Sequence, residues 1–134
     1  VTTLFTRIIA GDLPGHFVHR EDDAVVFMTI NPIAHGHALV VPTAEVDQWT
    51  DLDPSTRTRL FDIAHAVGEA QKKAFRCERV GLIIAGFEVP HCHIHVIPAN
   101  GMGDVSFANA ASHVDPDELR TAAESIARHL TLSS

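Results

Sequence analysis

Apolar residues along the chain switch between helical and strand periods, and each switch marks an element. Leu4, Phe5, Ile8 and Ile9 fall three and four apart ahead of Gly11 and Pro14, which predicts a short N-terminal helix. Three β-type runs follow at 16–20, 24–29 and 37–42, separated by polar or turn-forming residues, and read as a meander. Between Asp53 and Phe75 the positions Leu60, Ile63, Ala64, Val67 and Ala74 repeat at helical spacing, with Asp53 as N-cap and Pro54 in the first turn. Residues 80–86 form a continuous apolar run suited to a buried strand, and 90–98 alternate in period two, so the two should pair as a hairpin. Residues 101–112 read as a loop. Asp115-Pro116-Asp117-Glu118 resembles a capping box, and Leu119, Ala122, Ala123, Ile126 and Leu130 then give an amphipathic C-terminal helix. The order predicts an α+β domain over residues 1–134.

Composition narrows the class of partner. A chain of 134 residues with 46% hydrophobic content can build one core. Its apolar runs are far shorter than the ~20 residues of a bilayer span, and residues 1–7 lack the pattern of a signal peptide. The expectation is a cytoplasmic protein without a membrane partner. Cys77 and Cys92 do not make a disulfide framework and are expected to be reduced. Ten Lys plus Arg against 17 Asp plus Glu give a net charge of −7, which argues against a nucleic-acid partner. A small anionic ligand held locally is compatible with that charge.

The ten histidines are the unusual part of the inventory, and three of them cluster. In Val89-Pro90-His91-Cys92-His93-Ile94-His95-Val96-Ile97-Pro98, strand alternation puts His91, His93 and His95 on one face and Cys92, Ile94 and Val96 on the core face. Three imidazoles in a row are poor core residues, since each carries a polar nitrogen that needs a partner. Two chemistries suit such a face. One is a divalent metal site, for which Glu88 is a further candidate ligand. The other is nucleophilic catalysis at phosphorus, with one neutral imidazole attacking and its neighbours orienting it, donating to phosphate oxygens or protonating the leaving group.

The segment His91-Cys92-His93-Ile94-His95-Val96-Ile97 resembles the signature of the histidine triad family, and the resemblance extends upstream. Residues 4–14 resemble the family's opening helix, 26–32 its second-strand segment and 35–42 the strand carrying a fourth histidine, here His37. The chain is most similar to the Hint-like branch, the nucleoside phosphoramidate hydrolases and nucleotidyl transferases. The resemblance implies a five-stranded antiparallel sheet with a long central helix and short terminal helices. It also implies a homodimer and a small nucleotide substrate, with no cofactor and no metal. By the same resemblance His93 is the nucleophile, His95 serves the phosphate oxygens, His91 orients or protonates the leaving group, and His37 supports the triad. Phe27, Thr29, Ile30, Gly86, Phe87 and Glu88 fall where the family binds its nucleotide, with Ile30 on the base.

Some positions depart from the family pattern. Thr29 stands where a ribose-binding Asp is usual, Phe87 where a phosphate-touching Gln is common, and Glu88 where a small hydroxyl residue is common. Thr3, Thr6 and Glu45 occupy positions that hold structural zinc in some members, so no such zinc is expected. Of the remaining histidines, His16, His19, His65, His113 and His129 are expected at the surface, and His35 is a weaker candidate for the site. Cys92 is expected in the core, and Trp49 under the long helix or at a subunit interface.

Overall fold

A computed structural model describes residues 2–133. In chain order it contains helix α1 (Leu4–Ile9) and strands β1 (Phe17–Arg20), β2 (Ala24–Met28) and β3 (Ala38–Pro42), followed by helix α2 (Pro54–Phe75). Strands β4 (Arg79–Ile83) and β5 (Ile94–Ala99) and helix α3 (Pro116–His129) complete it, with short 3₁₀ turns at Trp49–Asp51, Met102–Val105 and Phe107–Asn109. The strands form one antiparallel sheet in the order β1-β2-β3-β5-β4. This is the predicted α+β architecture.

Strand alternation sorts the sheet into two faces. Val26, Met28, Val40, Ile94 and Val96 face α2 and α3 and pack with Leu60, Ile63, Val67 and Ile126 in the larger core cluster. Val25, Phe27, Leu39 and Val41 face the other way and are covered by Phe5 and Ile8 of α1 and by Val89. Each fully buried valine or isoleucine contributes about 1.5–3 kcal/mol of transfer free energy. The second face carries the site.

Local rules account for the helix ends. Asp53 caps α2 by accepting from the Thr56 backbone N–H at 2.8 Å, and Pro54 loses no helical bond in the first turn. Thr3 caps α1 in the same way, at 3.1 Å from Thr6 N. At α3, Asp115 accepts from Asp117 N–H at 2.9 Å; the cap is a single bond rather than the reciprocal box that Glu118 suggested.

Two strand expectations need correction. The run 80–86 is not a buried strand: β4 stops at Ile83 and forms the sheet edge, with Leu82 50% exposed. Its apolar character reflects a one-sided partner rather than an interior position. The alternating segment also begins later than expected, since β5 starts at Ile94, and residues 84–93 form an irregular crossing over the site face.

Candidate active site

His37, His93 and His95 converge on the face covered by α1, and each arrives by a different route. His95 lies inside β5, paired with Leu39 of β3 on one side and Ile83 of β4 on the other. His37 immediately precedes β3 and follows Gly36, whose backbone has φ +91. A Cβ on Gly36 would come within 2.3 Å of the Phe75 ring, so this turn needs glycine for both conformation and space. Gln71 of α2, fully buried, donates from Nε2 to the Gly36 and Val96 carbonyls at 2.9 and 2.8 Å, tying the helix to both histidine-bearing strands.

Hydrogen-bond partners assign the imidazole protons. The Ile33 backbone N–H donates to His37 Nδ1 at 3.1 Å, so the proton of neutral His37 is on Nε2. That N–H donates to His95 Nδ1 at 2.9 Å, which in turn puts the His95 proton on Nε2. His95 Nε2 is buried and has no hydrogen-bond partner among the described residues. The relay therefore ends in an unsatisfied donor aimed into the pocket. Both rings are held neutral. Burial, with the positive charge His95 and His93 would add, lowers His37 to about 3. Burial and His93 lower His95 to about 4, against a smaller opposing effect of Glu88.

His93 is positioned independently. Its Nδ1 lies 2.7 Å from the His91 carbonyl oxygen, which can only accept, so Nδ1 carries a proton and Nε2 faces the pocket. Phe5 packs edge-on against the ring at a centroid distance of 4.8 Å. Glu88 Oε1 sits 2.5 Å from His93 Nε2 and 3.5 Å from His95 Nε2.

The expectation that His91, His93 and His95 share one open strand face is corrected in two respects. All three are buried, with His93 only 1% exposed beneath Glu88 and Phe5. His91 and His93 also precede the ladder, and the His91 ring is outside the pocket. His91 Nε2 donates to the Pro42 carbonyl at 2.7 Å and its Nδ1 accepts from the Thr3 hydroxyl at 2.7 Å. Burial is the main reason its pKa is lowered, partly opposed by the Pro42 bond and the Glu45 charge. Thr3 also donates its backbone N–H to Glu45 at 2.8 Å, so Thr3, Thr6, Glu45 and His91 form a hydrogen-bonded clasp that ties the start of α1 to the segments after β3 and before β5.

A pocket of about 580 Å³ runs from His93 and His95 toward α1 and is mostly apolar. Of the residues the sequence singled out, Phe27, Thr29, Ile30 and Glu88 line it, whereas Gly86 and Phe87 do not; Phe87 is 97% exposed. Thr29 Oγ1 accepts from the Asn31 N–H at 3.2 Å. The sequence reading missed Phe5, Leu13, Asn31 and Phe107 among the lining residues. Phe107 lies edge-on to His95 at 4.9 Å, and a large aromatic among the small residues of 101–112 is the signal that marks it.

The peripheral histidines divide. His65, His113 and His129 are exposed as expected, but His16 is half-buried and lines the pocket, and half-buried His19 bonds Glu21 at 2.8 Å. His35 is exposed and packs on Phe75 instead of entering the site. Cys92 is in the core, and burial, with the Asp47 charge, pushes its thiol up to about 11. Cys77 and Cys92 are both unpaired. Trp49 is 44% exposed in its 3₁₀ turn.

Glu88, His93 and His95 present ligand atoms all within 4.8 Å of one another, the spacing of a possible metal site. The relay opposes that use, because the Ile33 N–H leaves a hydrogen rather than a lone pair on His95 Nε2. The same pattern of donors suits an anion.

Comparison with known proteins agrees with this architecture. Protein hit of Bacillus subtilis is 30% identical over 97% of this chain and 95% of its own length. An asymmetrical bis(5'-nucleosyl)-tetraphosphatase of Schizosaccharomyces pombe is 35% identical over 60% of this chain, which spans 47% of that protein. The crystal structure of a Hit-like protein involved in cell-cycle regulation from Bartonella henselae superposes with a TM-score of 0.85 at 25% identity, covering 96% of each chain. These relatives support the family as a whole, not the Hint-like branch. The HIT domain model matches residues 10–102, and the chain belongs to the HIT-domain family.

Proposed function

We propose that the protein cleaves a nucleoside monophosphate from an amine or other leaving group through a covalent intermediate on His93. Family membership supports nucleotide-related hydrolase or transferase chemistry in general. The observation that carries the finer reading is the pair of oppositely prepared imidazoles: His93 with Nδ1–H anchored and Nε2 inward, His95 with Nε2–H inward and unsatisfied. His93 Nε2 attacks phosphorus as the bond to the leaving group breaks, the leaving group taking a proton from water. His95 Nε2–H donates to a phosphoryl oxygen, where charge grows in the transition state. Water then attacks phosphorus and gives up a proton to solvent, the bond from phosphorus to His93 Nε2 breaks, and the nucleoside monophosphate departs. His37 fixes the His95 tautomer, and His91 acts on His93 through its carbonyl oxygen. The apolar walls at Phe27, Ile30 and Leu13 suit a nucleobase, with Thr29 near the sugar.

We further propose a cytoplasmic homodimer formed by one domain spanning 1–134. The unpaired edge of β4 with exposed Leu82 and, beyond it, Phe87 favours pairing with a second copy.

Incubation with an adenosine phosphoramidate tests the reaction. Free amine and adenosine monophosphate are expected at an unchanged rate in excess chelator. Loss of turnover on chelation would favour a metal-dependent hydrolase, and tight binding without turnover a nucleotide-binding regulatory module.

A further inference from the structure

The polar end of the pocket holds a carboxylate where its donors call for a bound anion. Glu88 lies on the irregular 84–93 crossing, its side chain 52% exposed, yet Oε1 reaches 2.5 Å from His93 Nε2 and 3.5 Å from His95 Nε2. Only one proton fits in the shorter gap, and it engages the nitrogen that must attack phosphorus. Glu88 is the sole carboxylate lining the pocket, and no lysine or arginine lines it among the described residues. Burial raises the Glu88 pKa, but its own backbone N–H and the His93 bond, with the positive charge that His93 and His95 would add on protonation, outweigh this and hold it below the usual range. The group is thus a carboxylate near neutral pH. The hydrogen on His95 Nε2 argues against a shared cation as the reason for the arrangement, leaving an anion place that the protein's own side chain enters at His93 while the His95 donor stays unsatisfied.

Resting on the reading that this pocket takes a phosphoryl group, we propose that Glu88 is a specificity-determining residue that occupies the phosphoryl subsite of the free protein. Substrate enters by displacing the carboxylate toward solvent, the proton between it and His93 Nε2 passing to water and freeing the lone pair of that nitrogen; the half-exposed position of Glu88 gives it room to turn out. The displaced group stays tethered beside the subsite. The site therefore accepts a singly charged phosphoryl group more readily than a doubly charged one, because no lysine or arginine of the lining offsets Glu88. Among leaving groups, a neutral or cationic one is favoured over a polyphosphate for the same reason.

Titration calorimetry at about pH 8, above the second phosphate pKa of about 6, separates the charges. The probes are adenosine 5'-monophosphate as a dianion and its methyl phosphodiester as a monoanion. The wild-type protein is expected to bind the monoanion about tenfold more tightly. In Glu88→Gln, which keeps size and removes charge, the dianion gains about that factor and the preference disappears. Nitrogen-15 spectra of the imidazoles give a second readout: His93 Nε2 should shift on the Glu88→Gln substitution and, in the wild type, on adding adenosine monophosphate. An unchanged preference in Glu88→Gln overturns the role of Glu88 and leaves nucleotide binding standing. Failure of both probes to bind either protein overturns both readings. Stoichiometric zinc binding by the wild type that Glu88→Gln abolishes would show a cation site and overturn the assignment as well.

Discussion

At the scale of single residues, the chemistry of the site depends on where protons sit. The Ile33 N–H, acting through His37, decides that His95 presents a donor to the pocket. Replacing His37 by Phe removes that instruction while filling most of the volume, and an activity loss of about 10–100-fold is expected, the usual cost of removing a partner that orients a reactive histidine. Steady-state kinetics beside a thermal melt measure it; full activity in a folded variant contradicts the relay. The same residues set a pH dependence. His37 and His95 titrate near 3 and 4 when folded against an ordinary 6.5, so the unfolded chain takes up protons first as pH falls. Their contribution to stability is complete above about 6.5 and is lost downward toward 4 and 3. Glu21, lowered to about 2 chiefly by Arg59, loses its share only below its ordinary 4.5. Urea midpoints should therefore already drop between about pH 7 and 5, in the histidine window. A flat midpoint there contradicts the burial of neutral imidazoles. The sequence shows the cluster itself, because three histidines at period two each bring a polar nitrogen that needs a partner. It does not show that His91 turns away, since that depends on a carbonyl of Pro42 and a hydroxyl of Thr3 far along the chain.

At the scale of elements, the site is a crossing point of β3, β5 and α2. Gln71 links all three by satisfying two carbonyls, and Gly36 allows the turn that delivers His37. Gly36→Ala meets both a positive φ and the Phe75 ring, so a loss of about 2 kcal/mol or more is expected from chemical denaturation. An unchanged midpoint would mean that the turn is not held as described. The long helix was legible because cap, proline and apolar stripe agree at Asp53, Pro54 and Leu60 to Ala74. Strand limits were less so. Residues 84–93 carry the same apolar and alternating signals as β4 and β5, but Gly86 at φ +90 and Pro90 take the backbone off the ladder. Periodicity cannot see which strand lies at an edge, and β4 reads as buried for that reason.

At the scale of the whole molecule, one sheet separates two tasks. The α2 and α3 face holds the large core, while the α1 face gives up packing to a pocket with polar groups at one end. No helix among the described residues is long and apolar enough to cross a membrane. If β4 pairs with a second copy, sedimentation equilibrium should give twice the 14.6 kDa chain mass, and Leu82→Lys should shift it toward the monomer. A wild-type monomer at micromolar concentration contradicts the dimer. The central claim, that His93 Nε2 forms a bond to phosphorus, is tested most directly by intact mass after rapid mixing with an adenosine phosphoramidate and alkaline quench. A transient adduct of one adenosine monophosphate, mapped to His93 and absent from His93→Gln, is expected. Wild-type turnover without any adduct, retained in a folded His93→Gln protein, would contradict it.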